Sequence, residues 1–149
     1  SEAKLTIRGV PDIPGVAAKI LSPISEAGIE VDVLVQNISA ENNTDFTFTV
    51  GKDDLKRAEE ILQKTSLSLG AGSIDVDDDI AKISIVGRGM RAHAGVASKM
   101  FQALAKSEIN ISMITTSEIK ISVVIKKFEM TRAVKALHDA FDLDKELDT

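Results

Sequence analysis

Gly15-Val16-Ala17-Ala18-Lys19-Ile20 recurs as Gly95-Val96-Ala97-Ser98-Lys99-Met100, and Ile29-Glu30-Val31-Asp32-Val33 recurs as Ile109-Asn110-Ile111-Ser112-Met113. Both pairs lie 80 residues apart (Gly15 to Gly95, Ile29 to Ile109), so a helix and the strand after it repeat as one unit. A repeat in this register predicts two similar small domains, residues 1–78 and 79–149, related by a pseudo-twofold axis. Such an axis sets matching loops face to face, and a ligand held between them occupies a domain interface, where binding sites are common.

Half of 149 residues is close to the lower limit for an independent core, so each half is expected to lean on the other or on a partner chain. The net charge is −5 and the 18 basic residues are scattered, which argues against nucleic acid and against an anionic membrane as partners. Cysteine is absent, which removes disulfides, thiolate catalysis and thiolate metal sites and fits a reducing compartment. No apolar run reaches membrane-spanning length, and Ser1-Glu2-Ala3-Lys4 has no signal-peptide pattern. The expectation is a soluble cytoplasmic protein.

In the first half, Leu5 to Gly9 alternates as a half-buried strand does, and Pro11-Asp12-Ile13-Pro14-Gly15 forces a loop. Ala17, Ile20, Leu21, Ile24 and Ala27 then line one helical face, and Gly28 ends that helix. Pro23 falls inside it, where a missing N–H and a crowded Lys19 carbonyl predict a kink or a late break. Val31 to Ser39 and Phe46 to Val50 read as the strands of a hairpin turned at Glu41-Asn42-Asn43. Asp53 or Asp54 is placed to cap a helix that turns Leu55, Ala58, Ile61 and Leu62 inward, and Ser73 to Asp77 offers a closing strand.

The order β-α-β-β-α-β predicts an α+β ferredoxin-like unit, a four-stranded antiparallel sheet with both helices on one face. The second half repeats it with a strand at Lys82–Gly87, a helix from Gly95 to about Lys106, and strands at Ile109–Thr116 and Glu118–Lys126. A last helix turns Met130, Ala133, Val134, Leu137 and Phe141 inward. After Phe141 the chain is acidic and lacks alternation, so the second unit is expected to lack its own fourth strand, the place being filled by another chain or by sequence upstream of Ser1.

The loops carry the chemistry. In Asp12-Ile13-Pro14-Gly15-Val16-Ala17, proline stiffens the approach, glycine admits a guest close to the backbone, and the opening helix offers N–H groups to an anion. A carboxylate, Asp12, beside an anion receptor suits a zwitterion, a free α-amino acid. Gln36, able to donate and to accept, is placed to read a polar side chain. The plainer reading makes Asp12 an ordinary helix cap.

Strand, Asp12-x-Pro14-Gly15 loop, helix and hairpin, duplicated, resemble a pair of ACT domains, small-molecule sensing units of amino-acid biosynthesis enzymes. Val35-Gln36-Asn37, Thr44 to Thr49, Ile83 to Gly87, Gly89-Met90 and Thr115 to Ile119 narrow the resemblance to the C-terminal regulatory region, or β subunit, of bacterial aspartate kinase. That resemblance implies feedback inhibition of aspartate phosphorylation by end-product amino acids, threonine or lysine, a kinase catalytic domain or α subunit as partner, and a homodimer. It also implies that this chain has no catalytic residue, metal or cofactor of its own. The chain has no phosphate-cradling Gly-Lys-Ser/Thr loop.

Carried over residue by residue, the resemblance implies a threonine-type site at Asp12, Pro14, Gly15, Val16, Ala17 and Gln36 with Asn110 and Ile111 from the facing loop. It implies a second site at Met90, Arg91, His93, Gly95, Val96 and Ala97 with Glu30 and Val31. His93-Ala94-Gly95 lacks the proline many relatives carry, and Ser112 stands where lysine-sensing relatives carry an acid. Asp32, Glu30 and Glu118 are other candidate partners for a lysine ammonium. Two further readings share this fold. Phe46 and Phe48 on a sheet face would suit stacked RNA bases, against which the acidic charge speaks, and core packing is the simpler role. A purely structural dimerisation module remains the alternative to a sensor.

Overall fold

Ala3, Leu5 and Ile7 turn one face of the first strand into the core, and the chain returns over that face as a helix carrying Val16, Ile20 and Ile24. The structure, a computed structural model, describes residues 2–39, 41–87, 93–117 and 119–141. Its contacts divide the chain into two units, 1–78 and 79–149. The first contains β1 (Glu2–Pro11), α1 (Val16–Glu26), β2 (Val31–Ile38), β3 (Asn43–Gly51), a 3-10 turn (Lys52–Asp54), α2 (Leu55–Leu69) and the start of β4 (Ser73–Val86). Its strands lie in the order β2-β3-β1-β4. Phe46, Phe48 and Val50 of β3 join Leu5, Ile7 and Val10 of β1 beneath Ala58 and Leu62 of α2. The phenyl rings are therefore core, not a base-stacking platform.

The second unit contains the rest of β4, α3 (His93–Lys106), β5 (Met113–Thr116), β6 (Lys120–Lys126), a 3-10 turn (Lys127–Glu129) and α4 (Met130–Phe141), with strands in the order β4-β6-β5. Its core repeats the first position by position. Ile20 and Ile24 become Met100 and Leu104, Leu5 and Ile7 become Ile83 and Ile85, and Ala58 and Leu62 become Ala133 and Leu137. Residues 21–37 and 101–117 share the same sequence of buried, intermediate and exposed positions throughout.

Register resolves the repeat more finely than the 80-residue offset. Thr6 pairs with Thr47 and their hydroxyls hydrogen-bond at 3.0 Å; Ser84 pairs with Ser122 and theirs do so at 2.6 Å. The offset is thus 78 residues on the first strand (Thr6 to Ser84) and 75 on the third (Thr47 to Ser122). It stays 75 into the last helix, where the ion pair Asp54–Arg57 recurs as Glu129–Arg132. Two residues are thereby gained in the loop after the first strand of the second unit, and five are lost in its hairpin.

Several sequence expectations are corrected. Ser73–Asp77 and Lys82–Gly87 are not separate strands; β4 runs through from Ser73 to Val86. β5 starts at Met113 rather than Ile109, because Glu108 adopts a left-handed conformation (φ 57°) and the chain turns there. α1 is neither broken nor ended early by Pro23, which lies within its 11 residues. Neither acid caps α2: Asp54 holds the cap position without a side-chain cap bond and instead accepts from the Arg57 guanidinium at 3.2 Å. Val134 is not inward but 37% exposed. The second unit needs no such correction: a unit without its own fourth strand is expected, and among the described residues its strands are β4, β6 and β5.

Candidate functional site

Pro14 confines Ile13 to extended backbone, because an αR residue before proline clashes with its ring, so helix α1 waits until Val16. Gly15 takes the cap position at φ 84°, a left-handed value that glycine adopts without strain, and no side chain caps the helix. Asp12 is therefore not the helix cap, and the plainer reading of that residue is overturned. The first-turn N–H groups have no partner within the helix by its geometry, and no acid occupies that turn. A Cβ built on Gly15 would meet nothing within 4 Å, so space lies open above the cap. The structure thus brings Asp12, Pro14, Gly15, Val16 and Ala17 together as an exposed carboxylate beside an uncapped helix start, with Val16 buried as the anchor.

This loop is tied down at both ends. The Asp12 N–H donates to the Asn42 carbonyl at 3.0 Å, joining it to the hairpin turn, and the Val16 N–H donates to the Ile13 carbonyl at 3.2 Å. Behind it, Gly9 N–H donates to Asp45 Oδ1 at 2.9 Å, and the Arg8 guanidinium bridges Asp45 and Asp75. The hydrogen bond and charge of Asp75, with a smaller part from Asp45, raise the Arg8 pKa above its ordinary value, so the guanidinium stays charged. Gln36 lies in the row Gln36–Phe46–Ile7, one pair from the row Ile38–Thr44–Val10 that leads into the loop. Directly paired residues share a face, so exposed Gln36 stands on the helix side of edge strand β2.

Glu30 and Val31 line a cleft of about 1010 Å³ in the first unit together with Glu2, Asp32, Gly51 and Asp54, a strongly acidic lining. Asn110 and Ile111, their counterparts, lie in the second unit between α3 and β5, Asn110 exposed and Ile111 partly buried. Met90, Arg91 and Glu118 lie outside the described residues, as does the side chain of His93. His93, Gly95, Val96 and Ala97 belong to α3, so the expected His93-Ala94-Gly95 loop is helix instead. Ala94 stands where the first unit has Pro14; without the ring, the preceding residue is released into αR and the helix starts three residues earlier relative to the repeat. Asn42 and Asp45 were not singled out from sequence. A glycine interrupting a strand pattern at Gly9 is the signal that points to Asp45, since it marks a bulge needing a partner. Among the described residues there is no group of three or more metal-ligating side chains, and no helix long and apolar enough to cross a membrane.

The sequence matches the ACT domain family over residues 5–66 and again over residues 83–141. Aspartate kinase of Pseudomonas fluorescens is 64% identical over 143 residues, which cover 96% of this chain and 35% of that protein. The chain thus spans about a third of the length of the curated relatives it matches. A solved structure of aspartokinase alpha and beta subunits is 51% identical with a TM-score of 0.88, covering 95% of this chain and 93% of the matched one. The ligand-free regulatory subunit of aspartate kinase from Thermus thermophilus is 40% identical, also at a TM-score of 0.88, covering 94% and 92%.

Proposed function

The chain belongs to the ACT-domain regulatory regions of aspartate kinases, and on that premise we propose that it senses a free α-amino acid and feedback-inhibits the kinase without catalysing a step itself. The observation that carries this reading is the first-unit loop: an uncapped helix start opened by Gly15, with the Asp12 carboxylate beside it. The ligand carboxylate meets the helix N–H groups, its ammonium pairs with Asp12, and Gln36 reads the side chain. Threonine suits the uncharged polar side chain of Gln36, which can both donate and accept. Lysine is the candidate for a site that includes Glu30 and Val31, whose acidic surroundings favour a second ammonium.

Inhibition requires that the effector bind one arrangement of the regulatory units better than another, with the difference felt by the catalytic part. That part is a kinase domain on the same polypeptide or a separate α subunit, in the cytoplasm where aspartate and ATP are at hand. The regulatory chain works as a homodimer. Leu34 on β2 and Ile114 on β5 occupy equivalent places on edge strands and are each 45% exposed, the kind of bare apolar edge that association covers.

Isothermal titration of the folded chain with L-threonine and L-lysine tests the sensor. Saturable threonine binding that Asp12→Ala weakens by about tenfold or more is the expected result. A folded chain that takes up neither amino acid would be an assembly module and no sensor.

A further inference from the structure

Ile7 and Val10 are both fully buried although they stand three positions apart, an odd step that regular pleating would send to opposite faces. The register shows how this is managed: Ile7 pairs with Phe46 and Val10 with Thr44, so Arg8 and Gly9 together face the single residue Asp45. This is a β-bulge with its glycine left-handed, φ 67°. A bulge leaves a backbone donor without its ladder partner, and here the Asp45 carboxylate takes it, accepting the Gly9 N–H at 2.9 Å. On the other side the Arg8 carbonyl accepts the Gly72 N–H at 2.9 Å. The bulge bends β1 just before the chain enters the Asp12 loop.

We propose that Asp45 is the positioning residue of the effector loop, fixing the Arg8–Gly9 bulge that aims residues 11–15, and that among the described residues only the first unit has this anchor. The inference rests on the reading of the Asp12 loop as the effector site. In the second unit β4 pairs with β6 without a register shift from Ile80 to Val86. Residues equivalent to Arg8, Gly9 and Asp45 are Val86, Gly87 and Lys120, and the Gly87 N–H donates to a backbone carbonyl, Ile119, at 2.9 Å. The strand end that leads into the first-unit loop is held by a carboxylate before any ligand arrives, whereas Gly87 at the equivalent place is held by a backbone carbonyl, and a pre-organised loop binds more tightly because less ordering remains to be done.

Two interactions compete for the credit. The ion pair of Asp45 with Arg8 is long (3.4 Å) and its side chains are 35% and 51% exposed, so solvent screens it. The bond to the Gly9 N–H is shorter, partly buried and charge-assisted, and it carries the effect.

The test compares Asp45→Ala, Asp45→Asn and Arg8→Ala in L-threonine titrations, with Ile24→Val as a mildly destabilised control that leaves the bulge untouched. Asp45→Ala is expected to weaken binding about tenfold and to speed exchange of the Gly9 and Asp12 amides. Asp45→Asn keeps an acceptor for the Gly9 N–H and should restore both readouts to within about threefold of the parent, while Arg8→Ala and Ile24→Val stay near it. Parent-like affinity in Asp45→Ala overturns the inference, as does a loss in Asp45→Asn equal to that in Asp45→Ala. If the parent chain binds neither L-threonine nor L-lysine, the sensor reading falls first and this inference with it.

Discussion

Glu108 holds a left-handed backbone (φ 57°) at the place where the first unit has Gly28 (φ 77°). The surrounding bonds show why a glutamate is forced there. Gly28 and Ile29 donate to Ser25 and Ile24, and Glu108 and Ile109 donate to Ala105 and Leu104, the paired bonds that close a helix through one left-handed residue. Ile29 and Ile109, both buried, fasten the closure by packing against the core. A side chain in this conformation costs about 1–2 kcal/mol, part of which is recovered from the smaller entropy loss of a non-glycine chain. Glu108→Gly should therefore raise stability by about 0.5–1 kcal/mol, and Gly28→Ala should lower it by about 1 kcal/mol. Urea unfolding followed by far-UV circular dichroism measures both; the chain has neither Trp nor Tyr, so fluorescence is a poor probe. Gly28 was legible as a helix terminus because glycine advertises the left-handed region. Glu108 was not, because its conformation comes from the apolar residue that follows it and from no property of its own. Asp12 was placed correctly in a loop beside a helix start, but whether it capped that helix was open until Gly15 proved to occupy the cap.

The helices α1 and α3 make a natural pair for measuring a proline. Pro23 stands in α1 where Ala103 stands in α3, and both helices run on past that position. The helix therefore tolerates the lost N–H because its apolar face, Val16, Ile20 and Ile24, is pinned to the sheet. Tolerance is not neutrality. Pro23→Ala restores a hydrogen bond to the Lys19 carbonyl and should stabilise the chain by about 1–2 kcal/mol, the gain reduced by the greater entropy of the unfolded alanine chain. Ala103→Pro should cost about 3 kcal/mol. A thermal melt in which Pro23→Ala lowered the midpoint would show that the proline is built into the packing of α1 against α2. Amphipathic periodicity made α1 to α4 legible, and hairpin signals made β2 and β3 legible. The merging of two predicted strands into β4 was not readable, because the acidic run Asp75 to Asp79 has no apolar period and is held as strand by its neighbours in the sheet. The Asp54–Arg57 and Glu129–Arg132 repeat was equally hidden, since an offset of 75 becomes visible only once the strand register shows the shorter hairpin.

At the level of the whole molecule, duplication left two apolar edges, and they are unequal. β2 presents eight residues and β5 four, so the first unit offers a second copy about twice the length of backbone to pair with. β2 also exposes Ile38 beyond Leu34, at 64%, and carries only Asp32 as a charge along its length, a weak defence for a strand edge. Association of two copies is therefore expected along β2. Leu34→Lys places a like charge on both sides of a twofold contact there and should shift the chain from dimer toward monomer in sedimentation velocity at micromolar concentration. Ile114→Lys, on the shorter strand, should leave the dimer largely intact. Neither side chain belongs to a core cluster, so both variants should keep the stability of the parent, and a monomer formed by Leu34→Lys is then a consequence of the edge and not of unfolding. The reverse result, dissociation by Ile114→Lys alone, would assign the contact to the second unit. Threonine titration of the Leu34→Lys monomer carries the argument to function: affinity that falls with dissociation means that the effector is held in an assembly of two copies, and affinity that survives it means that one chain contains all the residues the ligand needs.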